Sequence, residues 1–315
     1  MSSHLLDISK NLLTSSLNVQ THEQILIVCD PEKRELADAV YQAATELASE
    51  AILMEMKCRA KSGEEPPRAV SEAMKQVDVA VCITTESLTH TKARKEAAAL
   101  GVRVATMPGI TEDLFSQGAI TADYGEVKDL TEKVTKLLRD GKKVRITKDG
   151  KEITFSVEGR NGIPSTGVYR NKGESGNLPS GEAYIAPIEG SANGEITVDG
   201  SIAGIGKVTE PLKIRVENGR LVEAMGEQGQ QLLTMLGDKA GRELGEFGIG
   251  TNEWARITGV VLEDEKVAGT IHLAFGSNHT FGGTVDAGVH IDLVITKPSI
   301  WIDEKLVMED GEFCF

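Results

Sequence analysis

Between residues 21 and 122, short apolar runs alternate with stretches whose apolar positions recur at helical spacing. The runs Ile25–Cys29, Ala51–Met56, Val79–Ile83 and Val102–Thr106 are almost wholly apolar, and strands of that kind are buried on both faces. Helical spacing follows each of them, over Glu32–Ala48, Pro66–Gln76, Thr91–Leu100 and Thr111–Gly118. Repeated strand and helix predict an α/β domain: an open parallel sheet with helices on both faces. Such sheets bind ligands beyond the carboxyl ends of their strands, which puts Thr84, Thr85, Pro108 and Gly109 at the edge of a cleft. The first strand runs into Cys29-Asp-Pro-Glu32 with no glycine fingerprint, so a dinucleotide site has no support.

Asp129–Asp140 reads as an amphipathic helix, and after Gly141 the pattern changes to two-residue alternation broken by Gly, Asn and Asp turns. Strands are expected over Lys143–Thr147, Glu152–Val157, Ile196–Val198, Leu212–Val216, Val267–Phe275, Val289–Ile295 and Ser299–Ile302, with one helix at Gln228–Lys239. Gly204-Ile-Gly206 reads as a hairpin turn. The division falls at residue 142, giving an α/β domain over 1–142 and an α+β, mainly antiparallel domain over 143–315.

Composition narrows the function. The chain has 315 residues, 40% hydrophobic, 26% charged and only 4% aromatic, with 33 glycines, so an aliphatic core with many turns is expected. A net charge of −14 repels a phosphate backbone and argues against nucleic acid. The longest apolar runs fall far short of the roughly 20 residues that cross a bilayer, and residues 1–24 lack the apolar stretch of a signal peptide, so a cytoplasmic protein without membrane contact is expected. Cys29, Cys58, Cys82 and Cys314 show no C-x-x-C spacing, so neither a disulfide framework nor a thiolate metal site is expected.

Three of the six histidines, His272, His279 and His290, fall between residues 272 and 290. His290-Ile-Asp292 on a strand places an imidazole and a carboxylate on one face, and His272 on a neighbouring strand offers a third ligand. Two imidazoles and a carboxylate suit iron(II), and with further carboxylates zinc, cobalt or manganese. The competing reading of His-x-Asp is a surface pair. Glu182 stands at the head of an apolar strand in Asn177–Pro187, and Glu246 in a similar context in Leu244–Gly250. A charge in such a place is a solvated strand end, or it is paired or bound. His90, between two threonines after the third strand, either touches substrate or neighbours a helix cap; Trp254, near Glu246 in sequence, either lines a pocket or packs.

The segments Asn177–Pro187, Leu244–Gly250, His272-Leu-Ala-Phe-Gly276 and His290-Ile-Asp292, in this order, resemble the metal-binding motifs of the thermophilic metallo-aminopeptidase family typified by aminopeptidase T. Thr89–Arg94 and Gly101–Pro108 are similar to the same family. The resemblance implies a homodimeric enzyme that hydrolyses N-terminal residues of small peptides. Its ligands for two divalent ions (zinc, cobalt or manganese) would be Glu182, Glu246, His272, His290 and Asp292, with Glu246 bridging. The family's tyrosine seven residues after the first histidine is here His279, which then takes the role of catalytic hydrogen-bond donor or acid/base. Phe281-Gly-Gly283 is also similar to the 2,5-dihydroxypyridine 5,6-dioxygenases, which implies instead one iron(II) held by His272, His290 and Asp292 in a ring-cleaving enzyme. A non-catalytic metal- or ligand-binding protein on the same scaffold is the third reading.

Overall fold

A computed structural model describes residues 3–315. Two compact units emerge, and they do not divide at residue 142. The first runs to Lys128 and takes back Gly167–Ser180; the second comprises Asp129–Thr166 and Gly181–Phe315. The division thus lies inside the helix Tyr124–Asp140, and the excursion 167–180 exists to complete the first unit's sheet.

That sheet is wholly parallel, ordered Glu50–Glu55, Gln24–Cys29, Val79–Ile83, Arg103–Thr106, Ser175–Asn177. The middle strands are buried along their length, as their apolar runs require. The fifth strand has no apolar residue and is held by polar bonds: Leu178 N donates to the Thr106 carbonyl at 3.0 Å and Thr106 Oγ1 to Asn177 Oδ1 at 2.7 Å. Helices follow the first four strands at Arg34–Leu47, Arg68–Met74, Lys92–Ala99 and Glu112–Ser116, and a further helix, Ser3–Asn11, opens the described chain. Thr91 and Thr111 cap two of them, accepting from Arg94 N at 3.3 Å and Leu114 N at 3.2 Å. Among the described residues no helix is long and apolar enough to cross a membrane.

The second unit holds an eight-stranded and a seven-stranded sheet, both antiparallel in their named pairings. Their apolar faces share one core of Val, Ile, Leu and Phe. Phe155 of one sheet meets Phe247 of the other edge to face, with ring centroids 5.2 Å apart. With the core on one side of each sheet, alternation sends every second side chain of the seven-stranded sheet to its opposite face. That face carries the chemistry.

Candidate metal centre

The seven-stranded sheet is ordered Gly206–Lys207, Ser201–Ile202, His290–Thr296, Thr270–Gly276, Leu244–Gly250, Glu182–Ile185, Ile163–Ser165. Residues paired across an antiparallel ladder point to the same face. The register pairs Glu182 with Gly250, Gly248 with His272, Glu246 with Ala274, Ala274 with Asp292 and Gly276 with His290. Four neighbouring strands therefore deliver Glu182, Glu246, His272, His290 and Asp292 to one face. A bulge at Gly245 makes this possible for Glu246: Leu244 joins the core while Glu246, two residues on, faces the other way. Glycine at 248 is a spatial necessity, since a Cβ there would lie within the ring of His272.

Glu246 stands between the two imidazoles. Its Oε1 is 3.3 Å from His272 Nε2 and its Oε2 is 3.5 Å from His290 Nε2. His290 Nε2 is also 3.5 Å from Asp292 Oδ1, while its Nδ1 donates to the Ser277 carbonyl at 2.8 Å, which turns Nε2 toward the carboxylates. His272 is fully buried, with Nε2 3.4 Å from Glu182 Oε2. Phe281 packs edge-on between His290 and Tyr184, at centroid distances of 6.0 and 5.6 Å, and gives this side of the cluster an aromatic wall.

Two residues not singled out in the sequence join them. Lys266 is fully buried, its Nζ 2.6 Å from Glu182 Oε1 and hydrogen-bonded also to Glu265. The short helix Val261–Asp264 sets this pair in place. Asp264 accepts from Thr258 N, Thr258 Oγ1 and Gly259 N at 2.7–2.9 Å, and Glu263 accepts from Arg256.

Charge dominates the site. Burial works against an imidazolium at His272, but the hydrogen bond to Glu246 and the charges of Glu182 and Glu265 override it and push the pKa up to about 9. At His290 loss of water likewise opposes the charge, and Asp292 and Glu246 prevail, raising it to about 10. For Asp292, burial pulls upward and is overcome by His290, His272 and Lys266, leaving the carboxyl well below its ordinary range. Glu265 goes the other way, raised by burial and by Glu182 and Asp292 against the pull of Lys266. Burial disfavours the Lys266 ammonium, yet the two glutamates hold its pKa above normal.

The cluster fits divalent cations. Glu246, His272 and Asp292 bring ligand atoms within 4.8 Å of one another, and Glu182, Glu265 and His272 do the same. Glu182 Oε2, buried, has no hydrogen-bond partner among the described residues, an arrangement costly for a carboxylate oxygen unless a cation takes it.

His279 and Trp254, also expected at the site, make other contacts. His279 is on an exposed turn, with Nδ1 3.3 Å from the Val285 carbonyl and 3.9 Å from Asp286. Trp254 is exposed, its backbone N–H bound to Asn252 Oδ1 at 3.0 Å. His90 is exposed and belongs to the first unit.

A parallel-sheet unit followed by antiparallel sheets bearing a carboxylate and imidazole cluster defines a two-unit scaffold with a candidate metal site. The family described as NicX, 2,5-dihydroxypyridine 5,6-dioxygenase, matches residues 4–315, and the chain belongs to that family. It is also 31% identical over 156 residues to aminopeptidase T of Thermus aquaticus, a match covering 43% of this chain and 37% of that enzyme's length. Among solved structures, the fold is shared with 2,5-dihydroxypyridine dioxygenase from Pseudomonas putida KT2440 (TM-score 0.84, 17% identity, 100% of this chain and 98% of that one). It is shared too with wild-type AmpT from Thermus thermophilus (TM-score 0.73, 17% identity, 99% of each chain).

Proposed function

We propose that the chain is a two-metal aminopeptidase acting on small peptides. The observation that carries this reading is Glu246, whose two carboxylate oxygens each face a different imidazole. Glu182 Oε2, His272 Nε2 and Glu246 Oε1 would hold one ion, and Glu246 Oε2, His290 Nε2 and Asp292 Oδ1 the other. When bound there, two divalent ions would supply an activated water and a polarising charge for the scissile carbonyl.

The chain's own groups do the rest. Ser277 fixes the His290 tautomer, and Phe281 and Tyr184 shield one side of the cluster from bulk water. Glu265, held by Lys266, is the carboxyl group assigned to proton transfer, because it lies beside Glu182 and His272 and belongs to neither proposed ligand set.

Family membership favours a second reading, a single iron(II) on His272, His290 and Asp292 in a ring-cleaving dioxygenase. There Glu246 would stand between the two imidazoles without a ligand duty. Metal-free protein titrated anaerobically with cobalt(II), zinc(II) and iron(II) separates the two. The aminopeptidase reading expects two ions per chain, release of amino acids from a panel of aminoacyl p-nitroanilides, and loss of one ion and of activity in Glu246→Gln. One ion, an iron(II) preference and oxygen uptake with aromatic diols would overturn it.

A further inference from the structure

We propose that the Lys266 ammonium is a built-in counter-ion that closes the Glu182–Glu265 pair to a divalent ion, and so sets how many ions the centre holds. Glu182, Glu265 and His272 bring ligand atoms within 4.8 Å of one another, which by itself describes a cation site. Lys266 Nζ sits on that site's anionic edge, bonded to an oxygen of each glutamate. An ammonium there neutralises one charge and leaves neither bonded oxygen free to ligate.

The arrangement is fixed. Lys266 is wholly enclosed, its N–H donates to the Glu263 carbonyl at 2.9 Å, and its carbonyl accepts from Asn252 N at 2.8 Å. Gly250 makes room for this backbone, since a Cβ there would meet the Val267 carbonyl. Asp264 and Glu263 pin the preceding turn through Thr258, Gly259 and Arg256. The side chain is wholly shielded from solvent and bonded to both glutamates, so the ammonium is part of the site rather than a mobile guest. Glu182 is thereby divided, one oxygen on the lysine and the other left without a hydrogen-bond partner beside His272 Nε2. Glu265 likewise has one oxygen held by the lysine.

The location of the ions around Glu246 rests on the function proposed above, but the test compares counts between variants and is independent of whether the native chain holds one ion or two. Lys266→Met removes the charge at nearly constant volume. Purified variants are loaded with cobalt(II), dialysed and counted by elemental analysis, with calorimetric titration alongside and circular dichroism to verify folding. Lys266→Met is expected to hold one ion more than the native chain. Lys266→Arg should keep the native count, and Lys266→Met/Glu265→Gln, which removes one charge of each sign, should return to it. A folded Lys266→Met with the native count overturns the proposal. If Lys266→Met does not fold even with cobalt(II) present, the double variant decides: recovery of folding with the native count supports the counter-ion role, and failure to fold or any other count overturns it. A native count of one would sink the two-metal reading while leaving this comparison intact.

Discussion

Gly248 lies directly across the ladder from His272, and the imidazole occupies the volume that a side chain at 248 would need. A residue with no side chain thus leaves room for a fully buried ring of the cluster. Gly248→Ala is expected to push the ring off the Glu182 and Glu246 oxygens while leaving every ligand-type residue in place. Metal affinity should fall by roughly 10- to 100-fold, the range found when a group that orients a ligand is lost. Calorimetric titration of the folded variant checks this, and native affinity would show that His272 does not hold metal.

Binding of metal should release protons. In the metal-free site the pKa values of His272 and His290 are raised to about 9 and about 10, so both rings are imidazolium at neutral pH. A ligating imidazole is neutral, so each must lose its proton to a cation. Saturating the centre at pH 7 is expected to release about two protons per chain from these rings. Apparent affinity should climb as pH rises toward 9. Calorimetry in buffers of different ionisation enthalpy reads the proton count directly, and a count near zero would place the metal elsewhere.

The same shifts make the metal-free protein less stable in base. A histidine whose folded pKa lies above its ordinary 6.5 contributes stability that is complete below that value and lost as pH rises through about 9 and 10. Glu265 adds to the trend at pH below its raised folded pKa, because there the unfolded carboxyl loses its proton while the folded one keeps it. Asp292 acts at the other end: its lowered pKa gives stability that is present above 3.8 and lost as pH falls toward about 2. The melting temperature of chelator-treated protein should therefore decline between pH 6.5 and 10, whereas metal-loaded protein should hold or gain. A parallel decline in both forms would assign the effect to groups outside the cluster.

Much of this architecture is legible in the chain, and the gaps have physical causes. Apolar runs announce the first four parallel strands and the helices that follow them, although Glu50–Glu55, at the sheet's edge, is exposed at Ile52 and only partly covered at Leu53 and Met54 rather than buried on both faces. Ser175–Asn177 carries no apolar side chain and pairs through its backbone and Asn177, which is why the return of 167–180 to the first unit escapes a reading by hydrophobicity. Leu244–Gly250 is obscured by three glycines, two of which leave room for the His272 ring and for the Lys266–Val267 backbone. The five ligand-type residues were visible from motif order, and the register explains why they share a face. Glu265 and Lys266 were not, because Glu263-Asp-Glu-Lys266 reads as a solvated charge run. In the fold, Glu263, Asp264 and Lys266 are fully buried, each bonded to a loop amide, Arg256 or another charge of the cluster.

The core beneath the centre offers a control that separates packing from chemistry. Phe247 follows Glu246 in the same strand and points the opposite way, fully buried against Phe155 between the two sheets. Phe247→Ala removes that contact and leaves a cavity, and a large-to-small change of this kind costs about 3–5 kcal/mol. The ligand face keeps every donor atom, because the ladder bonds of Leu244–Gly250 to Thr270–Gly276 and to Glu182–Ile185 involve backbone alone. Denaturant unfolding of the metal-free variant should register the loss of stability, while the folded fraction at low temperature binds the native number of ions. A lower count in well-folded Phe247→Ala would mean that the position of Glu246 depends on core packing, and not only on the bulge at Gly245 and the register of the four strands.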